Sequence, residues 1–323
     1  IHAALLAQRV GKPVRMIYDR HEDIASTTKR HPAIVRYRSG VSAAGDLIAQ
    51  DIEVVMDGGA FSTLSPVVLS RGVLHAGGPY ECPNVHIKGR SMATNTPPNG
   101  AFRGFGAPQV GFAHEIQMAR IAEELGISPA ELRQRWIYRE GGITPSGQVL
   151  RESVAAEEVL REATEAADYE GVLEVSRRTR AMRWGQATEA GTGFNSTRVR
   201  SASGIGIAMG WHGAGFTGSG EQKMGSTAAV ELGADGVIRL LIANTEIGQG
   251  TNTVMPMIAA EVLGVDQSEV ELAPIDTSIV PNSGPTVASR TVMVVGGMIS
   301  KAAARLRTLV EERSGGSFAD VYR

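Results

Sequence analysis

The sequence contains a single cysteine, Cys82, among its 323 residues. An internal disulfide and an iron–sulfur cluster held by four cysteines are therefore excluded within this sequence. Lys and Arg total 32 against 34 Asp and Glu, so the basic surface typical of nucleic-acid-binding proteins is missing. No apolar run reaches the roughly 18 residues that a membrane-spanning helix needs, and no signal peptide is visible. These absences favour a cytoplasmic protein with no nucleic-acid partner and no membrane span.

Glycine is abundant, with 39 residues where average usage predicts roughly 23. The excess is clustered, as at Gly58-Gly59, Gly77-Gly78 and Gly104 with Gly106, and between Gly213 and Gly220. Clustered glycine marks sharp backbone turns or places where a ligand approaches the backbone closely. The glycine clusters are therefore the first places to search for a site.

Apolar periodicity predicts a mixture of helices and strands. In the first half it predicts helices at 1–10, 108–125 and 128–136, strands at 14–18, 33–40 and 47–57, and a strand pair at 82–95. In the second half it predicts helices at 153–168, 253–263 and 291–313, and strands at 204–211, 226–233, 237–244 and 269–275. Because these elements do not alternate regularly, we expect an α+β fold of two mixed α/β subdomains.

A connector rich in Gly, Pro and Ser at 137–150 is the predicted boundary, giving domains at 1–145 and 146–323. The chain begins with Ile1 rather than methionine, inside a helical pattern that has no N-cap. We therefore expect a sequence that is cut at both ends.

The stretch Gly213–Gly218 matches the G-x-G-x-x-G pattern and follows an apolar segment. A dinucleotide site also needs a helix that starts near Ser219, so that its N-terminus faces the pyrophosphate. The following residues favour a loop and then a strand. A flexible glycine turn is therefore the favoured interpretation, with a nucleotide-binding dehydrogenase as the alternative.

Residues 101–109, AFRGFGAPQ, lead directly into a predicted helix. The N–H groups of this loop would suit an anion or an oxo group at the helix N-terminus. The alternative is a well-packed turn between a strand and a helix. We call residues 102–106 the FRGFG loop.

Two loops in the second half have similar character. Residues 248–250, the GQG loop, carry Gln249, whose amide suits the edge of a heterocycle, although a tight turn with a solvent-facing Gln is an equal alternative. Residues 288–290, the ASR loop, offer donors for a phosphate or a pterin. Ordinary N-capping by Ser289 or Thr291 is the alternative there.

Taken in order, AFRGFGAPQ (101–109), EIGQGTNT (246–253) and PTVASRT (285–291) resemble the cofactor-facing loops of the xanthine dehydrogenase/aldehyde oxidase family of molybdenum hydroxylases. The segments GKPVRMIYDRHEDI (11–24), KRHP (29–32) and EIQMARIAEELGISPAELRQRW (115–136) are also similar. The resemblance covers nearly the whole chain. It implies an internal part of the molybdopterin-binding subunit, with cofactor loops between the two subdomains.

The resemblance also implies roles for individual residues. Phe102, Arg103 and Gly104 would line the molybdenum and its apical oxygen, with Arg103 near the metal without being a ligand and Phe105 beside them. Gly248, Gln249 and Gly250 would contact the pterin. Ala288, Ser289, Arg290 and Thr291 would face the metal ligands or phosphates. Arg71 and Phe216 would lie near the substrate.

The implied activity is hydroxylation of an aldehyde, a purine or another heterocycle with oxygen derived from water. The cofactor would be molybdenum-molybdopterin, in some bacterial members as a cytosine dinucleotide. Electrons would pass to a [2Fe-2S] cluster and FAD on partner subunits.

The sequence departs from the family pattern in one respect. The family's general base is a glutamate in a Gly-Glu-Pro type of motif, which is missing after residue 291, and Gly220-Glu221 is too early and is followed by Gln222. We therefore expect no catalytic base within the chain and a base glutamate beyond residue 323. The alternative is a degenerate, non-catalytic subunit of the same fold.

Overall fold

The computed structural model describes residues 1–178, 204–216 and 220–322. The chain divides into two compact units, Ile1–His212 (unit 1) and Gly213–Arg323 (unit 2). This division falls later than the domain boundary at 145/146, which stays a prediction. Helices and strands are mixed in both units, as expected for the α+β class. No helix among the described residues combines the length and the apolar character needed to cross a bilayer.

Unit 1 is built on a three-stranded sheet of β1 (Ala33–Val41), β2 (Leu47–Gly59) and β3 (Val85–Ala93), in that order. β1 pairs with β2 antiparallel, and β2 pairs with β3 parallel. Along β2, Ile52, Val54 and Met56 are fully buried. The alternate residues, Asp51 and Glu53, face a layer of Arg and Lys side chains. One face therefore belongs to the core, as period-two alternation predicts.

The helices of unit 1 are α1 (His2–Val10), α2 (Arg20–Ser26), α3 (Ser65–His75), α4 (Ala107–Leu125), α5 (Pro129–Trp136) and α6 (Ala156–Ala166). α3 packs on β2 and β3, α4 packs on β1, and the two helices contact each other. Ser128 caps α5 through its hydroxyl, which accepts from the N–H groups of Ala130 and Glu131. Gly126 ends α4 in the left-handed conformation, which favours glycine.

A buried ion pair joins α4, α5 and the segment before the unit boundary. The Glu115 carboxylate accepts from Arg133 Nη2 at 2.7 Å, from Tyr80 Oη at 2.5 Å and from the N–H of Met209 at 3.0 Å. Burial acts to raise the pKa of Glu115, but hydrogen bonds from His114 and Tyr80 and the charge of Arg133 hold it below its ordinary value. The carboxylate is therefore ionised, and it anchors residues 204–212 to the helices of unit 1.

Unit 2 contains a second three-stranded sheet, with β4 (Ala229–Leu232) antiparallel to β5 (Ile238–Leu241) and β5 parallel to β6 (Val270–Leu272). The helices are α7 (Gly220–Lys223), α8 (Thr251–Leu263), α9 (Gly296–Ser314) and α10 (Phe318–Tyr322), with a 3-10 turn at Gln267–Glu269 and a π-helical turn at Thr291–Val295. Its core is apolar and joins sheet and helices through residues such as Leu240, Met255, Ile299 and Phe318.

Several predicted elements are corrected by the structure. Residues 14–18 and 204–211 form no strand, and 82–95 contains one strand rather than a pair. An apolar run forms a strand only when a neighbouring strand satisfies its backbone, and a short run does not reveal whether one exists. Helices α2 and α3 were not predicted. At the start of α2, the N-cap residue Asp19 and Glu22 form a capping box.

Candidate functional site

The FRGFG loop holds three successive residues in the left-handed region, Gly104 (φ +88°), Phe105 (φ +52°) and Gly106 (φ +104°). A Cβ on Gly106 would lie 2.2 Å from the carbonyl oxygen of Val68 on α3. A Cβ on Gly104 would lie 2.4 Å from the Pro108 ring. The glycines are thus required by both conformation and space, and the turn is tightly packed against α3.

The two ends of the loop differ in exposure. The Phe102 ring is half exposed and Arg103 lies at the surface, whereas the Phe105 ring is only 8% exposed. The Phe105 N–H donates to the Phe102 carbonyl at 2.8 Å, which closes the turn. The loop therefore presents Phe102 and Arg103 outward and keeps Phe105 largely in the core.

Helix α4 begins directly after the loop with Gly106 at its N-cap, so no side chain caps it. The first N–H groups of a helix have no intrahelical acceptor and carry partial positive charge. Around this start, Arg30 Nη1, His31 Nδ1 and Gln109 Oε1 are buried without a partner among the described residues. Buried polar atoms of this kind are unusual, and they mark a place suited to polar ligand groups or ordered water.

Arg71 and His75 lie on α3, the helix that the FRGFG loop packs against, and they are 4% and 5% exposed. Burial lowers the pKa of Arg71, and burial also lowers that of His75 to about 4. His75 Nδ1 donates to the Arg71 carbonyl at 2.8 Å. The His75 ring lies 5.5 Å from the His212 ring and 6.3 Å from Trp211. Arg71 thus brings a positive charge into a cluster of neutral rings.

In unit 2, the amide of Gln249 is engaged by its own loop. Its Oε1 accepts from the Ile247 N–H at 2.7 Å, and its Nε2 donates to the Thr245 carbonyl at 2.8 Å and to Thr251 Oγ1 at 2.6 Å. The Glu246 carboxylate accepts from the N–H groups of Gly248, Gly250 and Asn252, and these bonds lower the pKa of Glu246. Hydrogen bonds within residues 245–252 therefore stabilise the GQG loop, and pterin contact by Gln249 stays a prediction.

The guanidinium of Arg290 is fully buried and all five of its N–H groups have acceptors. Nε donates to the Glu221 carboxylate at 3.0 Å, and Nη2 donates to Ser226 Oγ at 2.8 Å and to the Met224 carbonyl. Nη1 donates to the carbonyls of Ser283 and Pro285. An arginine has five N–H donors, and all five of Arg290 donate to acceptors within unit 2. Direct cofactor binding by its guanidinium stays a prediction.

Two neighbours of Arg290 have unusual backbone. Ala288 and Ser289 are both left-handed, at φ +57° and +56°. Such residues cost free energy and occur often at ligand-binding sites. The Ala288 carbonyl accepts from the Gly215 N–H at 2.7 Å. Thr291 then begins the π-helical turn, which has no side-chain cap.

Hydrogen bonds link the segments that flank the predicted loops of unit 2. Thr286 Oγ1 accepts from the Thr245 N–H at 2.9 Å, which links the segment before the ASR loop to the segment before the GQG loop. The Phe216 N–H donates to the Glu221 carboxylate at 2.9 Å. Phe216 is half-buried beside these contacts.

The glycine stretch Gly213–Gly218 is not followed by the long helix that a dinucleotide site needs. α7 has only four residues, Gly220–Lys223. Residues 217–219 lie outside the described part of the chain. The Glu221 carboxylate at the start of α7 is occupied by Arg290 and by the Phe216 N–H. The geometry therefore does not favour the nucleotide-binding alternative.

Sequence reasoning missed Arg30, His31, Gln109 and Glu221 as residues that shape these loops. KRHP (29–32) carries part of the family resemblance, but the resemblance assigns no role to its side chains. The described residues also contain no group of three or more His, Cys, Asp or Glu side chains that could hold a metal ion.

Two family models, each described as a molybdopterin cofactor-binding domain, match residues 1–137 and 177–319. A subunit of a probable xanthine dehydrogenase from Bacillus subtilis (strain 168) is 33% identical over 93% of this chain, which covers 37% of that protein. Xanthine dehydrogenase/oxidase of Mus musculus is 32% identical over 93% of the chain, which covers 21% of it. The chain thus spans between a fifth and two fifths of the length of these relatives.

The fold agrees with a solved structure. Aldehyde oxidoreductase from Desulfovibrio gigas superposes on 97% of this chain with a TM-score of 0.80 and 30% identity, and the chain covers 32% of that protein. Sequence and fold therefore agree over both units. The chain belongs to the xanthine dehydrogenase/aldehyde oxidase family, within its molybdopterin cofactor-binding region.

Proposed function

We propose that this chain is the cofactor-binding part of a molybdenum hydroxylase that oxidises an aldehyde, a purine or another heterocycle with water-derived oxygen. The observation that carries the proposal is the FRGFG loop, which presents Phe102 and Arg103 beside an uncapped helix N-terminus. Electrons would pass to iron–sulfur and FAD partner subunits in the cytoplasm. The two family models and the aldehyde oxidoreductase fold support the cofactor class.

The residues present fit molybdopterin, which carries phosphate and oxo acceptors as well as a heterocycle with both donors and acceptors. At the N-terminus of α4 the Ala107 N–H donates to the Gly104 carbonyl at 3.1 Å and Pro108 has no N–H, so acceptor groups would meet the remaining N–H groups and the partial positive charge of the helix. Arg103 adds a full positive charge at the surface. The buried, unpartnered Gln109 Oε1 adds an acceptor in the same part of unit 1.

When bound, the molybdenum cofactor supplies two-electron oxidation of a carbon centre. In unit 1, Arg71 would orient the substrate by charge, from a buried helix face where its interaction is weakly screened. His75, held neutral by burial, would help to keep the surroundings of Arg71 free of a second positive charge. Phe216 is the proposed substrate neighbour in unit 2.

In unit 2 we propose that Ala288 and Ser289 face the cofactor, while Arg290 acts indirectly by fixing their strained backbone. Ser289 is exposed, and none of the described residues bonds to its hydroxyl. Gly248, Gln249, Gly250 and Thr291 are the further proposed contacts. The cofactor's dinucleotide form and a base glutamate outside these residues are part of the same proposal.

The test is the molybdenum and pterin content of the full-length gene product, co-expressed with its neighbouring genes. We expect about one molybdenum per chain, and Arg103→Ala should lower occupancy severalfold, since it removes the exposed charge of the FRGFG loop. Arg120→Ala, an exposed arginine on α4, is the matched control. The mass of the released pterin distinguishes a cytosine dinucleotide. Absence of metal and pterin, in a host that loads a control enzyme, would favour the non-catalytic subunit instead.

A further inference from the structure

The segment Lys29–His31 runs alongside the start of the FRGFG loop. The Lys29 carbonyl accepts from the Gly100 N–H at 3.0 Å, and Lys29 and Asn99 form a parallel bridge. A Cβ on Gly100 would lie 2.9 Å from the Thr28 side chain. The two segments thus lie close enough to require glycine at position 100, and the hydrogen bond between Gly100 and Lys29 fixes their register.

Arg30 makes two contacts with the loop itself. Its Cζ lies 4.6 Å from the centroid of the Phe102 ring, within the range of a cation–π interaction. Its Nη2 donates to the Arg103 carbonyl at 2.6 Å. A single guanidinium therefore holds both outward-facing residues of the loop, one by its ring and one by its backbone.

The hydrogen bond to Arg103 has a consequence for the next residue. The carbonyl of Arg103 and the N–H of Gly104 belong to one planar, trans peptide unit, so they point in opposite directions. By fixing the carbonyl, Arg30 directs the Gly104 N–H away from itself. Gly104 is the first of the three left-handed residues, so this peptide plane sets the direction in which the turn begins.

His31 joins the same segment to the helices on either side of the loop. Its ring is 1% exposed, and Nε2 lies 2.8 Å from Ser65 Oγ at the start of α3. Its carbonyl accepts from Gln109 Nε2 at 3.1 Å, in the first turn of α4. Arg30 therefore belongs to a segment that is fixed to α3 and α4, and its side chain holds the FRGFG loop in one position relative to these helices.

We infer that Arg30 is a positioning residue for the FRGFG loop, which it holds by the Phe102 ring and the Arg103 carbonyl so that the Gly104 N–H is directed for cofactor binding. The inference rests on the proposed function for its last step only. The positioning itself is a property of unit 1 and can be measured without activity.

The experiment uses the full-length gene product with Arg30→Met, Arg30→Lys and, as the matched control, Arg36→Met. Arg36 is an exposed arginine of β1 that pairs with Glu53. Hydrogen exchange is measured in peptides covering 101–107 and in peptides of β2, and pterin content is measured on the same samples. In Arg30→Met we expect exchange in 101–107 to rise at least tenfold, with β2 unchanged and pterin content reduced severalfold.

Arg30→Lys should restore part of the protection, because a lysine keeps the charge above the ring but lacks the fork that also reaches the Arg103 carbonyl. In a background of Phe102→Leu, Arg30→Met should have a smaller effect than in the wild type, since one of its two contacts is already gone. Equal exchange in Arg30→Met and Arg36→Met would overturn the inference, as would a rise that extends equally into β2. Faster loop exchange with unchanged pterin content would support the positioning role and contradict the cofactor role of the loop.

Discussion

Arg290 Nε lies 3.0 Å from the Glu221 carboxylate, and the arginine is fully buried, although 69 positions separate the two residues. The same guanidinium holds the carbonyls of Met224, Ser283 and Pro285. One side chain thus binds together the segment after α7 and the segment before the ASR loop. The strained backbone of Ala288 and Ser289 is stabilised by this attachment, because neither residue would adopt a left-handed conformation without surrounding constraints.

Arg290→Met should therefore destabilise unit 2. Removal of one partner from a buried pair costs about 3 kcal/mol or more, because the other charge and several carbonyls lose their partner. The expected result is a lower urea midpoint for peptides of β5 and α8, measured by pulse proteolysis with mass spectrometry. Arg305→Met, an exposed arginine on α9, is the control and should change stability by less than about 0.5 kcal/mol. Equal midpoints for the two variants would contradict the structural role of Arg290.

The sequence predicts the ASR loop but not the partners of its arginine. The ASR loop was identified from its small and hydroxyl residues, but the direction of Arg290 depends on partners at 221–226 that no local pattern connects to it. Likewise, Arg30 is 73 positions from Arg103. Long-range pairs of this kind are set by tertiary packing, and periodicity carries no information about them.

Local sequence signals account for part of the fold as well. The alternation of β2 and the Ser128 cap of α5 are local signals, and they mark the strand predicted at 47–57 and the helix predicted at 128–136. α3 was missed because Leu64 at its N-cap gives no capping signal and Gly72 interrupts it. A Cβ on Gly72 would lie 2.7 Å from Met56 Cε, the flexible end of a side chain of β2, and a glycine inside a helix lowers its helix propensity.

Gly106→Ala should disrupt the FRGFG loop more than its backbone conformation alone explains. A left-handed alanine costs about 1–2 kcal/mol, and here a Cβ would also lie 2.2 Å from the Val68 carbonyl oxygen, which the α3 backbone cannot easily move. Gly147→Ala is the matched control, since Gly147 has φ +84° and no atom within 4 Å of the built Cβ. We expect a loss of thermal stability at least twice as large for Gly106→Ala. Similar losses in both variants would show that the contact with Val68 is unimportant.

Glu115→Gln should destabilise unit 1 by about 3 kcal/mol at neutral pH, because the buried Arg133 loses its counter-charge. The pH dependence gives a second test. The native pKa of Glu115 lies below its ordinary value of 4.5, so the stabilisation is present above that value and is lost as pH falls through the lower, native pKa. Urea midpoints between pH 3 and 7 should therefore fall less steeply on the acid side in the variant. Glu131→Gln, in an exposed pair with Arg135, should leave the wild-type profile in place.

His75 should produce a different acid profile, in a window above that of Glu115. Its native pKa is lowered to about 4 from the ordinary value of 6.5, first by burial. Below pH 6.5 the unfolded chain binds a proton at this histidine that the native protein does not, so stability falls as pH drops from 6.5 towards 4 and then levels off. The lowering of the His75 pKa from 6.5 to about 4 corresponds to about 3 kcal/mol of stability over that window. In His75→Gln this part of the slope should disappear, although the glutamine can still donate to the Arg71 carbonyl. His2→Gln is the control, because His2 lies on the exposed first turn of α1, and this variant should keep the wild-type slope. An unchanged slope between pH 6.5 and 4 in His75→Gln would mean that the His75 ring titrates alike in the folded and unfolded chain, and that water reaches the surroundings of Arg71 more than its burial indicates.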